Sequence, residues 1–311
     1  MTKTILYVGN GPYFFTNSLL MALGEAAPPA GVVETLTASP FGFQLLGGEL
    51  PVFDPYGWNP DLGLDQAIEL LGYRCRRATH ETAAEALASL EAALTTGPVL
   101  VGPVDMGLLA HQPGSDRAAG ADHFVVVLAA VEGSIRFHDP QGHPHAVLPT
   151  EVFLAAWHAE QIGYLAEDAF VMRTDFEQVS CVSTEEALNA SLDLARRWAL
   201  GREELPVPPG TLGGRAAYEQ FAEQLLTASP GTMNLLSHFS IPVGARRRGD
   251  AATCFETNGS SDLAERFTEQ AVTLGSLQYA AVLSDATTLV RGCRRLGELH
   301  DDLIATLGNM T

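Results

Sequence analysis

The sequence predicts an α+β domain over residues 1–178 followed by an all-helical domain over residues 179–311. Three observations carry that division. Short runs rich in β-branched and aromatic residues recur at 73–77, 99–104, 121–128, 135–139 and 170–173, with the length and composition of strands. Helical patterns at 13–23, 64–71 and 81–94 alternate with them. Beyond about residue 180 no comparable strand signal appears, and 184–202, 214–228, 232–255 and 262–307 read as mainly helical.

The elements follow in order. Residues 5–8 read as a short strand and Gly9-Asn10-Gly11-Pro12 as a turn. Phe14, Phe15, Leu19, Leu20 and Leu23 mark a buried helix that ends at Gly24, with Pro28-Pro29 preventing its continuation. Residues 31–37 read as a second short helix. Residues 39–63 form a long loop rich in Gly, Pro and aromatics, including Phe43, Tyr56 and Trp58. Such a loop either walls a pocket or packs its rings on the core. Gly97-Pro98 ends the helix at 81–94, and 108–122 is again a loop. Thr150 reads as the N-cap of a helix carrying Phe153, Leu154 and Trp157 on one face. Ser183 and Glu186 fit a capping box, and Pro206-Val207-Pro208-Pro209-Gly210 is a linker.

Composition excludes several function classes. The chain carries 37 acidic against 18 basic residues, a net charge of -19, which disfavours nucleic acid as a partner. The basic run Arg246-Arg247-Arg248 is too short for such a footprint. It either meets an acidic carrier protein or lies on a solvated helix face. Cys75, Cys181, Cys254 and Cys293 form no CxxC pair. They read as buried apolar thiols in a reducing cytoplasm rather than a disulfide framework or zinc knuckle. The N-terminus has no signal-peptide pattern, and no run approaches a membrane span of about 20 apolar residues. The expectation is a soluble cytoplasmic protein without a membrane partner.

The strongest chemical signal is His123 with Asp139. His123 opens the strand Phe124-Val125-Val126-Val127-Leu128, and Asp139 closes the strand that follows the Gly133-Ser134 turn. In an antiparallel hairpin these two positions are neighbours. A carboxylate there can accept the imidazole Nδ1 proton and fix the ring for proton transfer. Asn10 and Asn17 flank the first helix start, where an amide could stabilise an oxyanion, although a turn residue and a local hydrogen-bonding helix residue are the favoured explanations of the two. A second cluster, His138, His143 and His145 with Asp139, has strand spacing suited to a metal. No third element with matching ligands stands out, so no metal is assigned. Gly47-Gly48 and Gly213-Gly214 lack phosphate-loop spacing, and no cofactor is expected.

Several short motifs together carry a resemblance: Gly11-Pro12-Tyr13, Asn17-Ser18-Leu19, Gly97-Pro98-Val99, Gly102-Pro103-Val104-Asp105, the run from Ala121 through His123 to Val127, His138-Asp139-Pro140 and Ala245-Arg246-Arg247-Arg248. With them the chain resembles the butirosin biosynthesis protein H family over most of its length. That resemblance implies a papain-like fold for the first domain and transfer of an acyl group from a carrier-protein thioester to an amine through a cysteine at a helix head. The cysteine position aligns with Phe14, which cannot be a nucleophile. Thr16 and Ser18 lie further into the helix and point elsewhere.

The expected function is therefore small-molecule tailoring in bacterial natural-product biosynthesis: acyl transfer, cyclisation or a related acid/base step without a covalent intermediate. His123 is the expected base or acid, Asp139 its orienter, and Asn10 or Asn17 a polar stabiliser. Phe14, Tyr13, Phe43, Tyr56 and Trp58 are the expected substrate-binding residues. The partners are a small-molecule substrate and, through the family, an acyl carrier protein; a homodimer stays open. The rival reading is a catalytically inactive papain-like protein that binds a small molecule or carrier protein.

Overall fold

The computed structural model describes residues 6, 8, 9, 13–165 and 168–310. The expected strand at 5–8 and turn at 9–12 fall mostly outside them, and Asn10 does so entirely. Within these residues the chain is mixed α and β with a largely helical C-terminal region. It divides into two compact units, one of Met1–Ala30 with Gly72–Cys181, the other of Gly31–Leu71 with Val182–Thr311.

The first unit is built on a six-stranded antiparallel sheet. Its spatial order is Tyr73–Ala78, Met172–Gln178, Val99–Asp105, Asp122–Val131, Ser134–Asp139, His143–Pro149. Val99–Asp105 is buried at every position, as its near-continuous apolar run requires of a central strand. Helices Ala83–Ala93 and Thr150–His158 add Leu90, Phe153 and Trp157 to the Val101, Val125 and Phe137 core. The last strand, His143–Pro149, is absent from the sequence prediction, because its alternating His and Pro carry no apolar period. Thr150 opens its helix but does not cap it; the N-cap position is Pro149, with no side-chain bond.

Helix Phe14–Leu23 packs on strand Asp122–Val131. The buried Ser18 hydroxyl donates to the Phe124 carbonyl at 2.9 Å and pins the two together. Phe124 is in turn seated over Gly102. A Cβ there would lie 2.4 Å from the Phe124 ring, and the backbone has φ +154°, so only glycine allows this approach.

Residues 31–71, which the sequence assigns to the first domain, belong to the second unit. The reason is burial. Phe43, Leu45 and Phe53 share one core with Tyr218, Phe221, Leu236, Leu274 and Leu296, and Phe43 stacks on Tyr218 with centroids 4.3 Å apart. The region is not wholly loop, nor is the C-terminal half wholly helical. Gln44–Leu46 pairs with Leu50–Val52 on one side and Leu212–Gly213 on the other, strands of two or three residues that leave no periodic signal. The predicted capping box at Ser183 and Glu186 is present.

The basic run points inward. On helix Ile241–Thr257, Arg247 Nε donates to Glu34 Oε1 at 2.7 Å and Nη1 to Asp54 Oδ2 at 3.4 Å. Arg248 donates to the Gly42 carbonyl at 2.6 Å and to Gln270 at 2.9 Å. Arg247 and Arg248 are buried; Arg246 is exposed and sits 3.7 Å from Asp250. The solvated helix face expected of the run holds only at Arg246, because the other two charges are consumed inside the unit. Among the cysteines, Cys254 and Cys293 are buried as expected, Cys75 is half-buried and Cys181 is exposed. No helix among the described residues is long and apolar enough to cross a membrane.

Two outcomes follow from this core. Arg247→Met leaves the Glu34 carboxylate buried without its cation, and such breakage costs about 3–5 kcal/mol, to be read as a lowered urea midpoint. His300, on helix Ala286–Asn309, is 2% exposed, and burial first, then the Arg248 charge, pushes its pKa down to about 4, with Asp301 opposing. The unfolded chain binds that proton near pH 6.5. The folded state therefore binds fewer protons between about 6.5 and 4, and stability falls as pH drops through that window. His300→Gln should flatten the fall of the melting temperature between pH 7 and 4.

Candidate active site

Strand pairing builds the site. Val126 faces His138 and Val127 faces Phe137 across the hairpin. Continuing that register puts Asp139 across from Val125, on the face that His123 also shares. The pair is thus diagonal, within reach of an imidazole and a carboxylate. His123 Nε2 lies 2.7 Å from Asp139 Oδ1, and both side chains are fully buried.

Donors converge on both carboxylate oxygens. The Gln141 backbone N–H donates to Oδ1 at 2.8 Å. Gln112 Nε2 donates to Oδ2 at 2.7 Å, and His111 Nε2 lies 2.8 Å from the same oxygen. Burial alone would raise the Asp139 pKa; the bonds from His111 and His123, the His123 charge and the Gln141 N–H overcome it and hold the carboxyl well below the usual range. Asp139 is an anion.

An anionic Asp139 fixes the imidazole. Neutral His123 must donate from Nε2, which leaves Nδ1 as a bare acceptor. Nδ1 is buried and has no hydrogen-bond partner among the described residues. The expectation that Nδ1 meets the carboxylate is therefore reversed, since the strand approaches Asp139 from the other edge of the ring. The Phe14 ring lies against the imidazole, with centroids 5.2 Å apart, and 6.2 Å from Phe124.

His111 and Gln112 arrive from the loop after Val99–Asp105. That loop is folded around the Asp105 carboxylate, which accepts the backbone N–H groups of Gly107, Ala119 and Gly120 at 2.9–3.1 Å. Gly107 is tightly confined there; a Cβ would meet the Arg117 carbonyl at 2.2 Å.

The structure brings His123, Asp139 and Phe14 together as expected. Tyr13 is buried at the N-cap of the Phe14 helix, and its carbonyl accepts the Asn17 N–H at 2.8 Å. Asn17 is buried too, but its amide makes no hydrogen bond to His123 or Asp139. Ser18 is engaged with Phe124. Phe43, Tyr56 and Trp58 belong to the second unit. Phe43 is core there, Trp58 donates to the Thr37 carbonyl at 2.7 Å, and Tyr56 lines a groove with Trp198, Gly213 and His300.

His111 escaped the sequence reading as a site member, and His143 entered it only within the histidine cluster weighed for a metal. His143 sits directly across from Asp139 in the next hairpin, and the Pro140-Gln141-Gly142 turn could have revealed it. His111 has no local signal at all. The suspected group of His138, His143 and His145 is only partly assembled, because His138 Nδ1 accepts the His145 N–H instead.

With the geometry described, two similarities bear on it. A family model for the YobF C-terminal domain matches residues 208–308, inside the second unit. Over 307 residues the chain is 29% identical to the "Uncharacterized protein YobF" of Bacillus subtilis (strain 168), covering 96% of this chain and 96% of that protein.

The helix-head position is directly testable. In Phe14→Cys the new thiol stands at the position whose ring packs on the His123 imidazole. Iodoacetamide should label it fast well below the ordinary thiol pKa of about 8.5, and His123→Ala should abolish that advantage. Slow labelling with an ordinary titration sinks the juxtaposition.

Proposed function

We propose that the first unit is a papain-like domain of the butirosin biosynthesis protein H type that has lost its nucleophile and performs acid/base tailoring of a small molecule. One observation carries this reading: an imidazole held through Nε2 by a buried carboxylate, its ring packed against the first residue of a helix pinned to the same strand.

The chemistry that suits the arrangement is direct aminolysis of a thioester. The amine of an acceptor attacks the acyl carbonyl, His123 Nδ1 takes the ammonium proton, and Asp139 stabilises the imidazolium. The C–N bond forms, the C–S bond breaks, and the proton returns to the departing thiolate. No acyl-enzyme forms. A positioned base of this kind supplies about 10²–10⁴-fold. Phe14 supplies an apolar wall, and Asn10 or Asn17 are the candidate oxyanion donors.

A second reading, binding without turnover, is favoured by one specific fact: His123 and Asp139 have no exposed surface under the Phe14 ring. Acyl-N-acetylcysteamine thioesters presented with a panel of primary amines and amino sugars separate the two. The catalytic reading expects amide by mass spectrometry, with thiol release, falling about 10²–10⁴-fold in folded His123→Ala. Saturable binding with no amide, and turnover only in Phe14→Cys, establishes the binding reading instead.

A further inference from the structure

His111, Asp139 and His143 come from three separate segments: the loop after Val99–Asp105, the end of Ser134–Asp139 and the start of His143–Pro149. One ligand atom from each lies within 4.8 Å of the other two. We infer that these three side chains form a binding site for a divalent transition-metal cation of the zinc or ferrous class. The site goes beyond the acid/base reading and stands without it.

The donor set argues for the class. Two imidazoles and one carboxylate are the ligands that zinc, ferrous and cobaltous ions take, whereas calcium and magnesium ask for oxygen alone. Metal–ligand bonds of about 2.0–2.2 Å place two ligands of one ion roughly 3–3.5 Å apart. His111 Nε2 and Asp139 Oδ2 are 2.8 Å apart, so a cation takes the place of their shared proton after a small expansion, and the His111 proton moves to Nδ1.

The surroundings are already arranged for this. Asp139 presents its two oxygens to different tasks. Oδ1 is held by His123 and the Gln141 N–H, which orient the carboxylate as ligand-supporting hydrogen bonds do at metal sites. Oδ2 faces His111. The hairpin register puts His143 opposite Asp139. Its ring stands edge-on to His111, with centroids 5.1 Å apart, and Phe137 holds the His111 ring from another side at 5.0 Å. The carboxylate is fully buried, yet His111 keeps 10% of its side-chain surface and His143 is half-buried. The ion thus has an entry path and room for a fourth ligand from solvent. Three protein ligands with an open position is the pattern of a reactive rather than a closed site.

Cobalt(II) tests the proposal on the full chain after chelator treatment and desalting. The expected result is saturable binding near one equivalent, with visible absorption of a nitrogen-coordinated ion, displaced by zinc. His143→Ala is chosen because the residue is only half-buried and the fold should survive, as far-UV circular dichroism checks. It should weaken cobalt by more than the roughly 10–100-fold that losing a ligand's hydrogen-bond partner costs. His145→Ala, two residues along the same strand, should bind as the parent does. Absence of stoichiometric binding, or parental affinity in folded His143→Ala, overturns the site. Amide formation in the thioester assay scores the acid/base reading separately, so either idea fails without the other.

Discussion

A single buried carboxylate, Asp139, sets the arrangement of everything around it. A carboxylate without surface exposure survives only if its lone pairs are filled, and here the strand before it, the turn after it and a distant loop each send a donor. The cost of withdrawing any one of them is what ties loop 106–121, the hairpin and the His123 strand into one geometry. The imidazole tautomer is a by-product of the same requirement. An anion that needs an N–H from His123 leaves the opposite nitrogen basic.

The hairpin was legible because its chemistry and its architecture lie in one stretch of chain. His123 and Asp139 are sixteen residues apart, in the strongest β signal of the sequence, so alternation alone nearly specifies their contact. His111 was not legible, because its position depends on Asp105 gathering amides from both ends of a loop. Nothing local marks that fold. The aromatic run at 39–63 shows the limit differently. Its rings announce burial, but hydrophobicity is not directional, and the sequence could not say that their partners lie beyond residue 182. The arginine triplet misled for a related reason. Charge reads as surface unless the opposite charges, Glu34 and Asp54, are known to be adjacent.

Phe14 deserves the same physical reading. A thiolate and an imidazolium stabilise each other at a helix head; an aromatic ring offers neither charge nor proton. What it offers is an apolar lid that excludes water from the imidazole and lowers the local dielectric, which strengthens the His123–Asp139 bond. The similarity at 29% identity spans nearly the whole chain, so both units of the fold fall within it.

The chain enters the second unit at residue 31, leaves it at 71 and returns only after 181. During synthesis the segment carrying Phe43 and Phe53 is therefore made more than a hundred residues before the helices that bury it. Until Tyr218, Phe221 and Leu274 emerge, those rings have no core to join. An early-stopping chain would carry them exposed, a sticky and protease-sensitive tract in an otherwise foldable fragment. The interleaved order makes the C-terminal helices a condition for burying the rings of the 31–71 segment.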